Sequence, residues 1–96
     1  MLTNAEAMKL VSEKLQKMSS IEDPYVVNEP KTTERPFGWV FFYNSKKFLE
    51  TGAVRYRLAG NGPIIVNKTT GEILFCGSSK PVEELIQDYE NKLVGK

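Results

Sequence analysis

The apolar residues near the amino terminus recur with the period of an α-helix. They stand at steps of three and four, with most charged residues elsewhere: Met8, Val11, Leu15 and Met18. Thr3 stands before this stripe, and Glu6 comes three positions after Thr3, which is the spacing of a capping box. The pattern predicts a helix over about residues 3–18, with one apolar face packed on the core.

β-Branched and aromatic residues predict two strands in the first half of the chain, at about Tyr25–Glu29 and at Gly38–Tyr43. The second of these has apolar residues on both faces, since side chains alternate along a strand. Its two rows are Trp39, Phe41 and Tyr43 on one side, and Val40 and Phe42 on the other. We expect the helices to cover only one face. The aromatic row on the other is then covered by a long loop or by a second copy of the chain, or stays exposed as a binding surface.

A hairpin is predicted from two apolar runs, Ile64–Val66 and Ile73–Cys76, which flank a polar turn. Gly71 ends this turn, where a left-handed residue forms a bulge. The hairpin is preceded by the sequence Gly60-Asn61-Gly62-Pro63. Its glycines permit positive φ angles and Pro63 forces an extended backbone, so we interpret this stretch as the turn into a buried strand, not as a phosphate-binding loop.

Apolar residues return to a helical period after Pro81. The predicted buried face consists of Val82, Leu85, Ile86, Tyr89 and Leu93. Together the elements predict an α+β fold in the order α-β-β-β-β-α. In this fold an N-terminal and a C-terminal helix pack on an antiparallel sheet of about four strands.

The composition limits the classes of function. Ninety-six residues suit one domain, over residues 1–96, and the net charge of +1 favours neither nucleic acid nor an acidic membrane. The amino-terminal residues include no continuous apolar block, so we expect neither a signal peptide nor a membrane span. One cysteine, Cys76, cannot form an internal disulfide and stands in an apolar run, which favours a reduced protein of the cytoplasm.

The chain contains no histidine, which removes the usual general base and the commonest zinc ligand. Four carboxylates stand close together in the second predicted helix: Glu83, Glu84, Asp88 and Glu90. Hard cations are usually bound by oxygens of a shaped loop, so we interpret these side chains as a solvated face. We expect no catalytic residue, no metal site and no cofactor.

Two connections bear the residues that suit a partner. The segment from Pro30 to Pro36 is polar and is expected to be a loop, and residues 44–62 have no clear period although they include apolar anchors. The anchors are Phe48, Leu49, Val54 and Leu58. The candidate partner-binding residues are Glu34, Arg35, Lys46, Lys47, Glu50, Arg55, Tyr56 and Arg57. Cations around an aromatic residue fit an acidic protein surface better than nucleic acid, for which no dedicated motif is present.

Several short motifs follow one another in an order that resembles a known family. They are FLETG at 48–52, LAGNGP at 58–63, TGEI at 70–73, KPVEE at 80–84 and QDYE at 87–90, with Trp39 before them. In these the chain is similar to the YrhB-like proteins, which belong to a family of bacterial polymorphic-toxin immunity proteins, the one numbered 35. The resemblance covers about residues 38–90. It implies a small non-enzymatic protein with a central sheet and flanking helices that binds and neutralises a toxin.

Other functions stay open at this point. The YrhB branch is also described as a small chaperone-like stress protein, which implies unfolded clients held on exposed apolar surface such as one face of residues 39–43. An enzyme using carboxylate or tyrosine chemistry would need a pocket with convergent polar groups. The partner is therefore expected to be a protein, either a toxin or an unfolded client, with neither nucleic acid nor membrane involved. A homodimer is compatible with the sequence.

Overall fold

The computed structural model describes residues 1–19, 22–58 and 61–94, in which three α-helices and six β-strands follow the order α-β-β-β-β-α-β-β-α. The helices are α1 (Asn4–Met18), α2 (Lys46–Thr51) and α3 (Val82–Val94). The strands are β1 (Tyr25–Val27), β2 (Thr33–Arg35), β3 (Gly38–Phe41), β4 (Tyr43–Ser45), β5 (Ile64–Asn67) and β6 (Ile73–Phe75). Two short 3₁₀ turns lie at Glu29–Lys31 and Val54–Tyr56. Among the described residues, no helix is both long and apolar enough to span a membrane.

The strands form two antiparallel sheets. One has four strands in the order β2-β3-β5-β6, and the other pairs β1 with β4. The predicted α+β class with antiparallel strands is confirmed, and the hairpin of β5 and β6 is present. The structure has six strands where about four were predicted, because β2 was assigned to a connection and the start of β4 was included in the predicted strand Gly38–Tyr43.

The aromatic run after Gly38 serves both sheets. β3 ends at Phe41 and β4 begins at Tyr43, so the chain passes from the larger sheet to the smaller one at Phe42. The carbonyl of Phe42 accepts a hydrogen bond from the backbone N–H of Asn28 at 2.7 Å, which holds the crossing point. The predicted alternation is confirmed, since Trp39 and Phe41 pack on one side of the sheet and Val40 on the other.

Each face of the four-stranded sheet packs against its own helix. On the first face the buried residues are Ala7, Val11 and Leu15 of α1 with Trp39, Phe41, Ile64 and Val66. On the second they are Ile86 and Tyr89 of α3 with Phe37, Val40 and Ile65. The expectation that helices cover only one face is therefore wrong. Helices and sheet make three layers, and Trp39 is only 5% exposed.

The start of α1 has the predicted capping box. The Thr3 hydroxyl accepts a hydrogen bond from the backbone N–H of Glu6 at 3.2 Å, and the Glu6 carboxylate accepts one from the backbone N–H of Thr3 at 2.9 Å. The predicted apolar stripe is correct for Val11 and Leu15 but wrong for Met18, which is 50% exposed at the last turn. Met18 is the last residue of α1 and is not among the residues packed in the core.

Two of the glycines at the predicted turns, Gly71 and Gly62, are required for different reasons. Gly71 has φ 78°, which confirms the left-handed bulge of the hairpin. Gly62 does not have a positive φ. A Cβ atom at position 62 would overlap the backbone carbonyl oxygens of Cys76 and Gly77, so this glycine is required for close approach of two backbone segments. Gly60 lies outside the described residues.

Candidate functional site

Segment 46–57 was predicted as an irregular connection, and this is wrong, because it contains α2 and a 3₁₀ turn. Ser45 caps α2: its buried hydroxyl accepts a hydrogen bond from the backbone N–H of Phe48 at 3.0 Å and donates one to the carbonyl of Tyr56 at 2.8 Å. Gly52 ends the helix with φ 72°, in the left-handed conformation usual for that position. One serine therefore joins the beginning of the helix to the turn that follows it.

Asn44 fixes both ends of this segment. Its side-chain Oδ1 accepts hydrogen bonds from the backbone N–H groups of Ser45 at 2.9 Å and Leu58 at 2.8 Å. Three of the four predicted apolar anchors, Phe48, Leu49 and Leu58, are half-buried. The fourth predicted anchor, Val54, is wrong, because its side chain is 77% exposed. The segment is thus a built part of the fold rather than a loose loop.

The first turn of α2 is also tied to the chain before β1. The backbone N–H of Lys46 donates to the carbonyl of Pro24 at 2.9 Å, and that of Lys47 donates to the carboxylate of Asp23 at 3.2 Å. Backbone N–H groups in a first helical turn have no partner within the helix, and an acidic side chain is favourable at that end. These bonds satisfy two such groups and leave the lysine side chains exposed.

Two cations flank the ring of Tyr56. The Lys47 Nζ lies 5.4 Å from the ring centroid and the Arg55 Cζ lies 4.9 Å from it. One guanidinium nitrogen of Arg55 also lies 3.2 Å from the Tyr56 hydroxyl oxygen, to which it donates a hydrogen bond. Lys46, Glu50 and Arg57 are exposed on the same segment. We call the set of Lys46, Lys47, Glu50, Arg55, Tyr56 and Arg57 the basic surface.

The remaining two candidate residues lie apart from this surface. Glu34 and Arg35 belong to β2, at the edge of the four-stranded sheet, whereas α2 follows β4 of the smaller sheet. The interpretation of residues 30–36 as a loop was therefore wrong. The half-buried Arg35 lies 3.7 Å from the exposed Glu83 of α3, and an ion pair that is open to solvent in this way contributes little to stability.

A cleft of about 380 Å³ opens beside the basic surface. Its walls include Arg57, Phe48 and Asn44 from one side and two residues around the 3₁₀ turn, Asn28 and Lys31, from the other. Lys31, Asn28 and Asn44 were missed as candidates. The sequence carries little signal for these three residues, because their segments meet only when β1 pairs with β4 and the chain crosses at Phe42.

Tyr43 also lines this cleft. Burial raises the pKa of its hydroxyl above the ordinary value of 10.0, and the neighbouring Tyr25 adds to the shift. The hydroxyl of Tyr43 is therefore protonated at physiological pH and contributes no negative charge to the cleft. Within the described residues, no group of three or more histidine, cysteine, aspartate or glutamate side chains is arranged to hold a metal ion.

Residues 5–91 match the model of a protein family described as immunity protein 35. The chain belongs to this family. It is also similar to an uncharacterized protein, YrhB, of Escherichia coli (strain K12), with 53% identity over 55 residues. That match covers 57% of this chain and 58% of YrhB, so the chain spans less than two thirds of the relative's length. No solved structure matches the chain. Family membership confirms the resemblance seen in the motifs and indicates, at the level of the family, a role in immunity to a toxin.

Proposed function

We propose that this protein is a non-enzymatic immunity module. It binds a bacterial toxin through the basic surface and neutralises the toxin by occluding it. The observation that carries this proposal is the family match, which extends over residues 5–91 and so includes every element from α1 to the greater part of α3. The basic surface adds a place for the contact, since hydrogen bonds made by the side chains of Ser45 and Asn44 tie both ends of its segment to the fold.

Charge indicates the chemistry of the partner. Residues 46–57 contain four cations and a single carboxylate, that of Glu50, although the chain as a whole has a net charge of only +1. A local excess of positive charge on a neutral protein steers an acidic protein surface to that site without general attraction to nucleic acid. Tyr56 and the arginines beside it are residue types that contribute strongly to protein interfaces.

The structure does not favour the chaperone-like alternative. That function would need the row of Trp39, Phe41 and Tyr43 to be exposed, but Trp39 and Phe41 are buried under α1 and Tyr43 is half-buried. The large apolar side chains that remain exposed among the described residues are scattered over several elements: Met1, Leu10, Met18, Val54, Leu74, Leu93 and Val94. We therefore propose toxin binding alone. We place it in the cytoplasm, where the unpaired Cys76 would remain reduced.

Co-expression with the toxin encoded beside the gene tests the proposal. The wild-type protein should protect cells from that toxin and should elute with it as a complex in size-exclusion chromatography. The double variant Lys47→Glu with Arg55→Glu should lose both properties while keeping its thermal stability, because both side chains are exposed. The matched control is Lys9→Glu with Lys14→Glu, which makes the same change of charge on the exposed face of α1 and should still protect. The proposal is contradicted if the wild-type protein gives no protection and forms no complex with the toxin.

A further inference from the structure

We propose that the cleft beside the basic surface receives an acidic side chain, Glu or Asp, of the protein partner. The cleft lies between the 3₁₀ turn at Glu29–Lys31 and the segment that begins with α2, and it is lined by both Lys31 and Arg57. This inference deepens the proposed function and rests on it, because it assigns the position at which a carboxylate of the partner is held.

The charges of the cleft favour an anion. Lys31 and Arg57 come from different segments, and neither has an ion-pair partner among the described residues. The described residues that line the cleft include no aspartate or glutamate, so no carboxylate of the protein neutralises these cations. Two like charges that line one concave site repel each other, and a bound carboxylate offsets this repulsion. Arg57 can bind both carboxylate oxygens at once.

An oriented amide adds a neutral donor to the cleft. The Oδ1 of Asn44 is held by the backbone N–H groups of Ser45 and Leu58, so the orientation of the Asn44 amide is fixed. Its Nδ2 has no hydrogen-bond partner among the described residues. A carboxylate would therefore meet a donor that is already in place and loses little conformational freedom on binding.

The remaining walls fit a side chain rather than a free inorganic anion. Phe42, Phe48 and Leu58 give the cleft apolar surface next to its cations. The methylene groups of a glutamate, or an apolar residue next to it, can pack on this surface while the carboxylate binds the cations. The volume of about 380 Å³ is near the lower end of the range for ligand sites, which suits one or two side chains and not a folded segment.

A titration followed by NMR tests the cleft without the toxin. The ¹⁵N-labelled protein is titrated with a blocked peptide of Leu, Glu and Gly, with the same peptide containing Gln in place of Glu, and with inorganic phosphate. We expect saturable shifts at the backbone amides of Ser45 and Leu58 with the Glu peptide, with dissociation constants in the millimolar range typical of one side chain. The Gln peptide should cause none. Equal responses to both peptides, no response to either, or stronger binding of phosphate would overturn the proposal, and the last result would indicate a phosphate site.

The toxin complex separates this inference from the proposed function. Lys31→Glu and Arg57→Glu should each weaken binding of the toxin by about tenfold or more, whereas Lys9→Glu should change it less than about twofold. If the wild-type protein binds the toxin and both cleft variants bind it equally well, the cleft proposal is wrong and the proposed function stands. If the wild-type protein does not bind the toxin, the proposed function is wrong, and the partner assignment of the cleft is wrong with it. Thermal melting of each variant checks that it is folded.

Discussion

Asn44, at the middle of β4, holds the far end of the basic surface through a 2.8 Å hydrogen bond from the backbone N–H of Leu58. The same oxygen accepts a second bond from the N–H of Ser45, directly before α2. A single side chain on the smaller sheet therefore sets the distance between the two ends of the segment that carries the proposed contacts.

We predict that Asn44→Ala loosens this segment more than it destabilises the whole protein. The substitution leaves two partly buried N–H groups without their acceptor, which costs about 1–3 kcal/mol. Hydrogen exchange should accelerate at Leu58 and within α2, while the amides of β3 and β5 in the core keep their protection. Unchanged exchange at Leu58 would show that the bond does not hold the segment.

Gly62 and Gly77 offer a matched pair of substitutions. Gly62→Ala should be strongly destabilising, by about 2–3 kcal/mol or more, because the new Cβ would overlap the carbonyl oxygens of Cys76 and Gly77. Gly77→Ala meets no atom within 4 Å and should change stability by less than about 1 kcal/mol. Urea midpoints measure both effects. Similar midpoints for the two variants would be inconsistent with the close approach of the backbone at Gly62.

Stability should fall at alkaline pH in a manner that depends on Tyr89. Burial is the main cause that raises the pKa of the Tyr89 hydroxyl above 10.0. The bond accepted from Asn67 lowers this pKa in part, and the bond donated to Glu72 at 2.8 Å raises it. Because the pKa is higher in the folded protein than in the unfolded chain, the stabilisation is complete below about pH 10 and is lost as the pH rises through the folded value. Tyr89→Phe should cost about 1–2 kcal/mol at neutral pH, since the side chain of Asn67 loses its partner, and should show a smaller decrease in alkaline solution. Equal decreases for wild type and variant would contradict this assignment.

The sequence was sufficient for elements whose residues carry their own signals. The capping box of Thr3 and Glu6, the alternation at Trp39 and Val40 and the bulge at Gly71 are all local features, and each was predicted correctly. They depend on side-chain period, on a cap or on one φ angle. Neighbours distant in sequence do not change them.

Elements held by distant partners were missed. β2 consists of Thr33, Glu34 and Arg35, which have no apolar alternation, and it is a strand because β3 pairs with it. α2 is only six residues long, too short for a periodic pattern, and bonds to Pro24 and Asp23 support it. The placement of α1 and α3 on opposite faces depends on the path of the chain between them. The period of apolar residues shows which side of each helix is buried, but not which face of the sheet the helix covers.

The same limit applies to the candidate site. A count of charges along 46–57 was enough to nominate the basic surface, and the structure brings Lys47, Arg55 and Tyr56 of that surface together. The cleft depends on Lys31, 26 positions before Arg57 in the sequence. Nothing in the immediate neighbourhood of Lys31 distinguishes it from an ordinary exposed lysine.

The central claim is that this protein neutralises a toxin by binding it, and a titration of toxin activity tests this most directly. Purified toxin from the neighbouring gene is mixed with increasing amounts of the protein, and the remaining toxin activity is measured. Occlusion predicts that activity falls in proportion to the protein added and reaches zero near one protomer per toxin. Full activity at excess protein would contradict the claim, and so would complete inactivation by a small fraction of an equivalent, which would indicate an enzyme acting on the toxin.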